Sequence, residues 1–532
     1  MVLNNFLLAT LFSVSLLSAQ NLENTLSKKN ESVFSNKEVI QLNLNSLIQE
    51  VVRKNSRGLV ELINVKTKEN ELKSESFLFE PTFSAGALFS KQKTKTSPED
   101  SYYSTLGADS VYKSNTQNYE AGLSGLMPTG GTWEFKAIRN DLKSNVIESS
   151  NDTEYRDYLK LSIEQPLLKN AGYEITTIKR RLAEVNKNIS EEEYNKILTE
   201  LVGVTIQSYW QFYGMQKTLV NWYNLIDIAQ KNLSNIKELA LSGKVSQTDV
   251  LDIENRLYLL QLQKIEAEDK LTEKRSQIFT LLNISASQNP NLDFILVEDI
   301  YTQSKIPTLK ESLDLALSNW SEYNIAKKKL KLEMITRKYL DNQILPDLKI
   351  KADITNQSLN DSASKAFSDM SSTDYQNWNI GLEFSTPIFG NEKLKSYVDN
   401  SRLNILKAKL ELNALEKNLD NSLHARIEKL KSTKKQMDLF KKGLEIKKNL
   451  LEIEKEKLAF GKTNVKKLLE EEEQYLDYER KMYERLIEWK TAEATLQKAM
   501  GTLLNTYDIK INLDNLEDKV YNDSMSNVID FK

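Results

Sequence analysis

Residues Leu241–Leu251 read LSGKVSQTDVL, and residues Ala459–Leu469 read AFGKTNVKKLL. Gly243 aligns with Gly461, Lys244 with Lys462, Val250 with Leu468 and Leu251 with Leu469, all at a spacing of 218 residues. In each copy the glycine closes a long helical pattern, and another begins within a few residues. Glycine supplies the left-handed conformation that ends a helix, and Ser246 and Asn464 are residues that cap the next one. Each copy reads as a helical hairpin with a tight turn, and the chain reads as an internal duplication.

The run from Tyr173 to Gly243 and the run from Glu392 to Gly461 are each about 70 residues, enough for a helix of ~105 Å. The return path is broken. Val245–Asn283 supplies ~60 Å and Leu309–Leu340 ~50 Å, on either side of an interruption at Asn289–Pro307. In the second copy Thr463–Leu504 and the N-terminal Leu42–Ser76 play these parts. Helices of this length must pack side by side as coiled coils or a helical wall.

Composition agrees with long elements. The 532 residues include only 16 Gly and 8 Pro, few breakers for the length. With 72 Lys+Arg against 75 Asp+Glu the net charge is -3, without the basic surplus of a nucleic-acid binder. The absence of Cys excludes disulfides, thiolate metal sites, a Cys nucleophile and a lipidated N-terminal Cys. A single histidine, His424, argues against His-rich metal sites and most general-base schemes. The expectation is no enzyme, no metal and no cofactor.

Between the helical runs the pattern changes to period two. Leu348, Ile350, Ala352 and Ile354 alternate with Lys349, Lys351, Asp353 and Thr355. Trp378, Ile380, Leu382 and Phe384 alternate with Asn377, Asn379, Gly381 and Glu383. Leu159, Leu161 and Ile163 repeat the pattern, as do Phe83, Ala85, Ala87 and Phe89 more weakly. Such strands fit a soluble sandwich or a membrane barrel with apolar residues toward lipid and polar ones toward a wet lumen. The ~10-residue strands, the tyrosines and tryptophans at strand ends, and the polar connections Lys91–Asn115, Asp141–Asp152 and Ser358–Asp374 favour the barrel. Tyr119–Met127 and Thr132–Arg139 flank the turn Pro128–Gly131 and predict an extra hairpin. Each chain then gives six strands, too few to close alone, so oligomerisation is needed to remove the sheet edges.

The duplicated order of helix, strands and long helices resembles the TolC-family outer-membrane factors, over nearly all of the mature chain. So do the two glycine-bearing tips and the prolines at Leu345-Pro346, Thr386-Pro387-Ile388, Glu80-Pro81 and Gln165-Pro166-Leu167. The resemblance implies a fold that is mainly α with β. It would be a trimeric transmembrane β-barrel continued by a long periplasmic α-helical barrel. It implies an exit duct of a tripartite efflux pump or type I secretion system, in the outer membrane, with its helical part in the periplasm. The implied partners are two further copies, a periplasmic adaptor protein, an inner-membrane pump and outer-membrane lipid. The runner-up reading is a secreted or surface coiled-coil scaffold.

On the family pattern the segments fall as follows. Residues 1–19 are a signal peptide with the apolar run Phe6–Leu17, and 20–41 an N-terminal segment. Residues 42–80 are the first helix, 81–166 the first strand region, and 167–288 helices with a tip near 243. Residues 289–307 are an equatorial break, 308–345 the helix of the second repeat, and 346–388 the second strand region. Residues 389–505 are helices with a tip near 461, and 506–532 a polar tail. The resemblance places the gate at the tips. Asp249 and Asp252 match the family's Asp-Val-Leu-Asp run, whereas the second copy departs, with Lys467 and Glu470 at those positions. Lys467 or Lys462 is expected to pair with Asp249 and hold the tip shut; that these are solvated helix charges is the competing reading, since exposed pairs contribute little. Leu241, Gly243, Val245, Val250, Ala459, Gly461 and Leu468 are the adaptor-docking candidates by position; for the apolar members, ordinary helix packing is the competing reading.

Three motifs are set aside. Gly461-Lys462-Thr463 imitates the end of a phosphate-binding loop, but Glu456 stands where its earlier glycine belongs. The acidic run Glu470–Glu473 points around a helix axis and does not converge. Leu198, Leu201, Val202, Thr205, Tyr209 and Phe212 form a helical stripe expected to pack against a neighbouring helix.

Overall fold

The computed structural model describes residues 38–95, 111–145, 153–296 and 305–509. The proposed signal peptide and nearly all of the proposed C-terminal tail lie outside them, as do residues 96–110 of the connection Lys91–Asn115. The chain divides into two compact units. One comprises residues 1–63, 193–324 and 415–532, the other 64–192 and 325–414.

The first repeat begins with strand β1 (Glu38–Leu42), then helices α1 (Leu44–Lys54) and α2 (Ser56–Ser76). Strands β2 (Thr82–Lys95), β3 (Val111–Leu126), β4 (Thr132–Ser144) and β5 (Thr153–Pro166) follow. After the short α3 (Tyr173–Thr176) come α4 (Ile178–Leu241) and α5 (Gln247–Leu281). The second repeat runs β6 (Leu292–Leu296), α6 (Leu309–Asn319), α7 (Ser321–Gln343), β7 (Asp347–Asn360), the short α8 (Ala363–Asp369) and β8 (Gln376–Ser385). It closes with α9 (Glu392–Ala459), α10 (Val465–Ala499) and α11 (Leu503–Thr506).

The structure corrects two readings of the sequence and adds a strand to a third. The first helix is not continuous over 42–80. Leu42 ends a strand, Asn43 caps α1 by accepting from the Ser46 amide at 2.7 Å, and the extended Asn55 divides α1 from α2. The helix expected over 308–345 is divided in the same way by the extended Trp320. The paired helices are 11 and 21 residues long in one repeat and 11 and 23 in the other, so the duplication extends to the position of the break. The interruption at 289–307 holds β6, which pairs in parallel with β1 from Glu38↔Leu292 to Leu42↔Leu296.

In the unit that holds the tips, α1 buries Leu44, Leu47, Ile48 and Val51, the i, i+3, i+4, i+7 spacing of one helical face. The stripe of α4 is buried as expected, with Val202, Thr205, Tyr209 and Phe212 at 0% exposure. The Gln216 amide clamps β6, donating to the Phe294 carbonyl at 2.5 Å and accepting from the Leu296 amide at 3.4 Å. Arg275 pairs with the buried Asp293 at 3.4 Å, so that carboxylate is not an isolated buried charge.

In the other unit, β2-β3-β4-β5-β7-β8 form one six-stranded antiparallel sheet. The register aligns Phe83, Leu123, Phe135, Leu161, Ile354 and Trp378 in one cross-strand row. The apolar residues therefore share one face, exposed in the single chain. Several strands run past this apolar band into segments expected to be loops. β2 reaches Lys95, β4 reaches Ser144 and β7 reaches Asn360, while α8 occupies the connection after β7. Alternation fades there because both faces are polar, so the sequence understates strand length. Arg139 pairs with the buried Asp157 at 2.6 Å and donates to the Ala363 carbonyl of α8 at 2.7 Å, fixing that helix on the sheet.

Gly501 has φ +69, and a Cβ there would lie 2.5 Å from the Asn319 carbonyl carbon. Gly172 also has positive φ, +93, but nothing lies within 4 Å of its Cβ position. Gly172→Ala is expected to cost about 1 kcal/mol from conformation alone, and Gly501→Ala clearly more. The thermal midpoints of the two detergent-solubilised variants check this order.

Candidate functional site

The two tips have the same backbone. At the end of α4, the Gly243 amide donates to the Ala240 carbonyl at 3.0 Å and the Lys244 amide to the Leu239 carbonyl at 2.9 Å. At the end of α9, Gly461 donates to Leu458 at 3.0 Å and Lys462 to Lys457 at 2.8 Å. Both are Schellman closures, and both glycines are left-handed, with φ +71 and +68.

The helices that leave the tips are capped differently. Ser246 and Asp249 form a reciprocal capping box at the start of α5. Hydrogen bonds from the Ser246 hydroxyl and amide hold the Asp249 carboxyl below its usual range, and Lys466 adds attraction. At the second tip, Asn464 accepts from the Lys467 amide at 2.9 Å. With Lys467 at the third helical position there is no carboxylate to reach back. A clasp replaces it: the Thr463 hydroxyl donates to Glu454 at 2.6 Å, and Lys457 donates to the same side chain at 3.1 Å. The Thr463 bond is the main reason the Glu454 carboxyl is held down.

Within one chain the expected pairing of Asp249 with Lys467 or Lys462 does not form. Asp249 is committed to its helix cap, and Lys467 lies 3.4 Å from both Glu470 and Glu471. Asp252 and Lys462 are exposed and make no side-chain ion pair among the described residues. Of the docking candidates, Leu241, Gly243, Ala459 and Gly461 are exposed, Leu241 to 91%. Val250 and Leu468 are buried, and Val245 packs on the core that holds Val250, Leu225, Leu233 and Leu469. Phe460, 77% exposed, was passed over; an aromatic directly before a closing glycine was the available signal.

Behind the tips, α10 lies between α9 and the α4–α5 hairpin. Tyr478 meets Gly443 and Phe440 of α9, while Asn221 donates to Glu479 at 2.9 Å and Arg256 pairs with Glu473. Burial dominates the facing pair Lys217 and Glu479, pushing the lysine down and the carboxyl up, despite their attraction. Glu472 is 4% exposed and one of its carboxylate oxygens has no hydrogen-bond partner. Burial pushes its pKa up, against the pull of Lys455 and Arg256. On α5, Leu251, Tyr258, Leu262 and Ile265 form an exposed apolar stripe, and on α9 so do Leu439, Ile446, Leu450 and Ile453, with exposed Phe460 just past the helix end. The spacings of three, four and seven are those of a coiled-coil seam.

On the sheet, the face opposite the apolar rows carries Lys349, Lys351 and Glu383. Lys349 lies 3.0 Å from Glu164, and Lys351 pairs with Glu383 and lies 3.7 Å from Glu164. No cluster of three or more metal-ligating side chains occurs among the described residues. No helix among them is long and apolar enough to cross a membrane.

Two outcomes follow for the tips. Ser246→Ala should cost about 1 kcal/mol locally and speed amide exchange at 247–249 roughly fivefold. The Asp249 share of that cap is complete above the ordinary aspartate range and lost as pH falls below it. Glu472 has the opposite sign. Its raised folded pKa makes its contribution most favourable at acid pH, and this is lost as pH rises. Glu472→Gln should therefore raise the thermal midpoint at pH ~7, with the gap closing as pH falls toward ~4.3.

Residues 336–502 match the family described as Outer membrane efflux protein. No curated protein matches the sequence. Among solved structures, the chain resembles the CmeC outer membrane channel of Campylobacter jejuni at 15% identity. That match covers 91% of this chain and 90% of the other, with a TM-score of 0.62. It resembles the open state of the Neisseria gonorrhoeae MtrE outer membrane channel at 12% identity, 87% and 89% coverage and a TM-score of 0.60. It also resembles the outer membrane protein VceC of Vibrio cholerae at 12% identity, 86% and 96% coverage and a TM-score of 0.58. Residues 336–502 thus match the outer membrane efflux protein family in sequence, and about nine-tenths of the chain has the fold of solved outer membrane channels.

Proposed function

We propose that three copies of this chain form a passive exit duct. A shared β-barrel would cross the outer membrane, and a helical barrel would lie in the periplasm. The observation that carries this reading is the sheet. It has one apolar face, one charged face and two unpaired edges, an arrangement that satisfies its backbone in lipid only when other copies close it. The stripes on α5 and α9 support the same assembly. They lie on helices at opposite sides of the α9–α10–α4/α5 packing and would meet across copies.

The duct would serve a tripartite efflux pump or a type I secretion system. An inner-membrane pump would supply the energy, and an adaptor would dock on Leu241, Gly243, Ala459, Gly461 and Phe460. Val245, Val250 and Leu468 would support that surface from within. The gate would be the ring of tips. Since Asp249 caps α5 and Lys467 pairs with Glu470 and Glu471, Asp252 and Lys462 are, of the gate candidates from both tips, an exposed pair of opposite sign free to meet across copies.

Light scattering of the detergent-extracted protein should give a trimer, and planar bilayers should show small ion-selective channels. Asp252→Lys should raise their conductance several-fold, and adding Lys462→Asp should reverse the rise. A monomer without channels would contradict the duct.

A further inference from the structure

We infer that the closed barrel has eighteen strands, with β8 of each copy pairing antiparallel with β2 of the next; this rests on the trimeric duct proposed above. The second repeat contributes two strands, β7 and β8, and the first contributes four. The duplication by itself would give two strands per repeat and twelve per trimer. The hairpin β3–β4 adds two per copy.

That hairpin is part of the wall. β3 pairs with β2 from Thr82↔Ser124 to Lys95↔Val111, and β4 pairs with β5 from Thr132↔Glu164 to Lys143↔Thr153. It continues both faces of the sheet. Leu123 and Phe135 extend the apolar row, while Glu120, Glu134 and Lys136 stand on the side of Lys351 and Glu383. A plug or a flap would show neither full-length pairing nor matched faces.

The edges suit a second copy of this chain. Adjacent strands all run antiparallel, so the first and last of six have opposite directions and can pair antiparallel across a seam. Neither β2 nor β8 contains the proline that blunts many edges. At mid-strand the apolar faces differ in size: large Ile380 and Leu382 on β8, small Ala85 and Ala87 between Phe83 and Phe89 on β2. At ~4.8 Å per strand and a tilt of ~40°, eighteen strands enclose a backbone diameter of about 35 Å, half again that of twelve. The barrel would then not limit the size of cargo, and selection by size would fall to the tips.

The chain has no cysteine, so introduced pairs report without background. Ala85→Cys or Ala87→Cys, combined with Ile380→Cys or Leu382→Cys, should give disulfide-linked dimers and trimers on non-reducing gels. Ala85→Cys with Ala121→Cys, directly opposite within one chain, should give monomers only. Electron cryomicroscopy of the unaltered protein should count eighteen strands, and decides the matter if the cysteine variants fail to assemble. A trimer with twelve strands, or with β2–β8 bonds only within a chain, overturns the eighteen-stranded barrel and leaves the duct standing. A monomer by light scattering removes both.

Discussion

A backbone amide in hydrocarbon has no water to fall back on, and on the proposed duct this constraint organises the molecule. Each unsatisfied group costs several kcal/mol, so a sheet in lipid must close. The six strands of this chain present matched faces and alternating directions but two bare edges. On the proposed duct, assembly would be a condition of the fold itself in lipid, rather than a later association of finished parts. The exposed apolar rows of the single chain have the same explanation, since lipid and neighbouring copies would cover them.

The helices meet a parallel constraint at their ends. Four orphan amides and four orphan carbonyls must be satisfied at every terminus. The tips do so with one backbone motif used twice and two different side-chain solutions. Asp249 in the capping box and Glu454 in the Thr463 clasp are occupied with local structure. Carboxylates so used are poor candidates for a movable latch. The exposed charges Asp252 and Lys462 can change partners without dismantling a helix end. Buried Glu472 is of another kind, a desolvated carboxyl whose cost varies with pH and whose removal should be tolerated.

Much of this was legible in residue patterns. The period-two runs at 348–354 and 378–384 named the faces of β7 and β8, and Gly243 and Gly461 named both turns with their caps. What escaped was non-local or lay between patterns. β1 and β6 are five residues each and pair across some 250 residues of chain, so neither carries enough alternation to announce itself. Asn55 and Trp320 interrupt helices without glycine or proline. Val250 and Leu468 fit either adaptor docking or ordinary helix packing by position in the sequence, and their burial with Ile253 and Leu469 favours packing. The family match falls on the second repeat, although the first tip carries the more familiar acidic run.

The most direct test of the account is hydrogen–deuterium exchange of the protein in lipid nanodiscs, read strand by strand. Edge strands that are paired across copies should protect β2 and β8 amides as strongly as those of the interior strands β4 and β5. Rapid exchange confined to β2 and β8 would mean open edges, and would contradict a duct built by closing this sheet between copies.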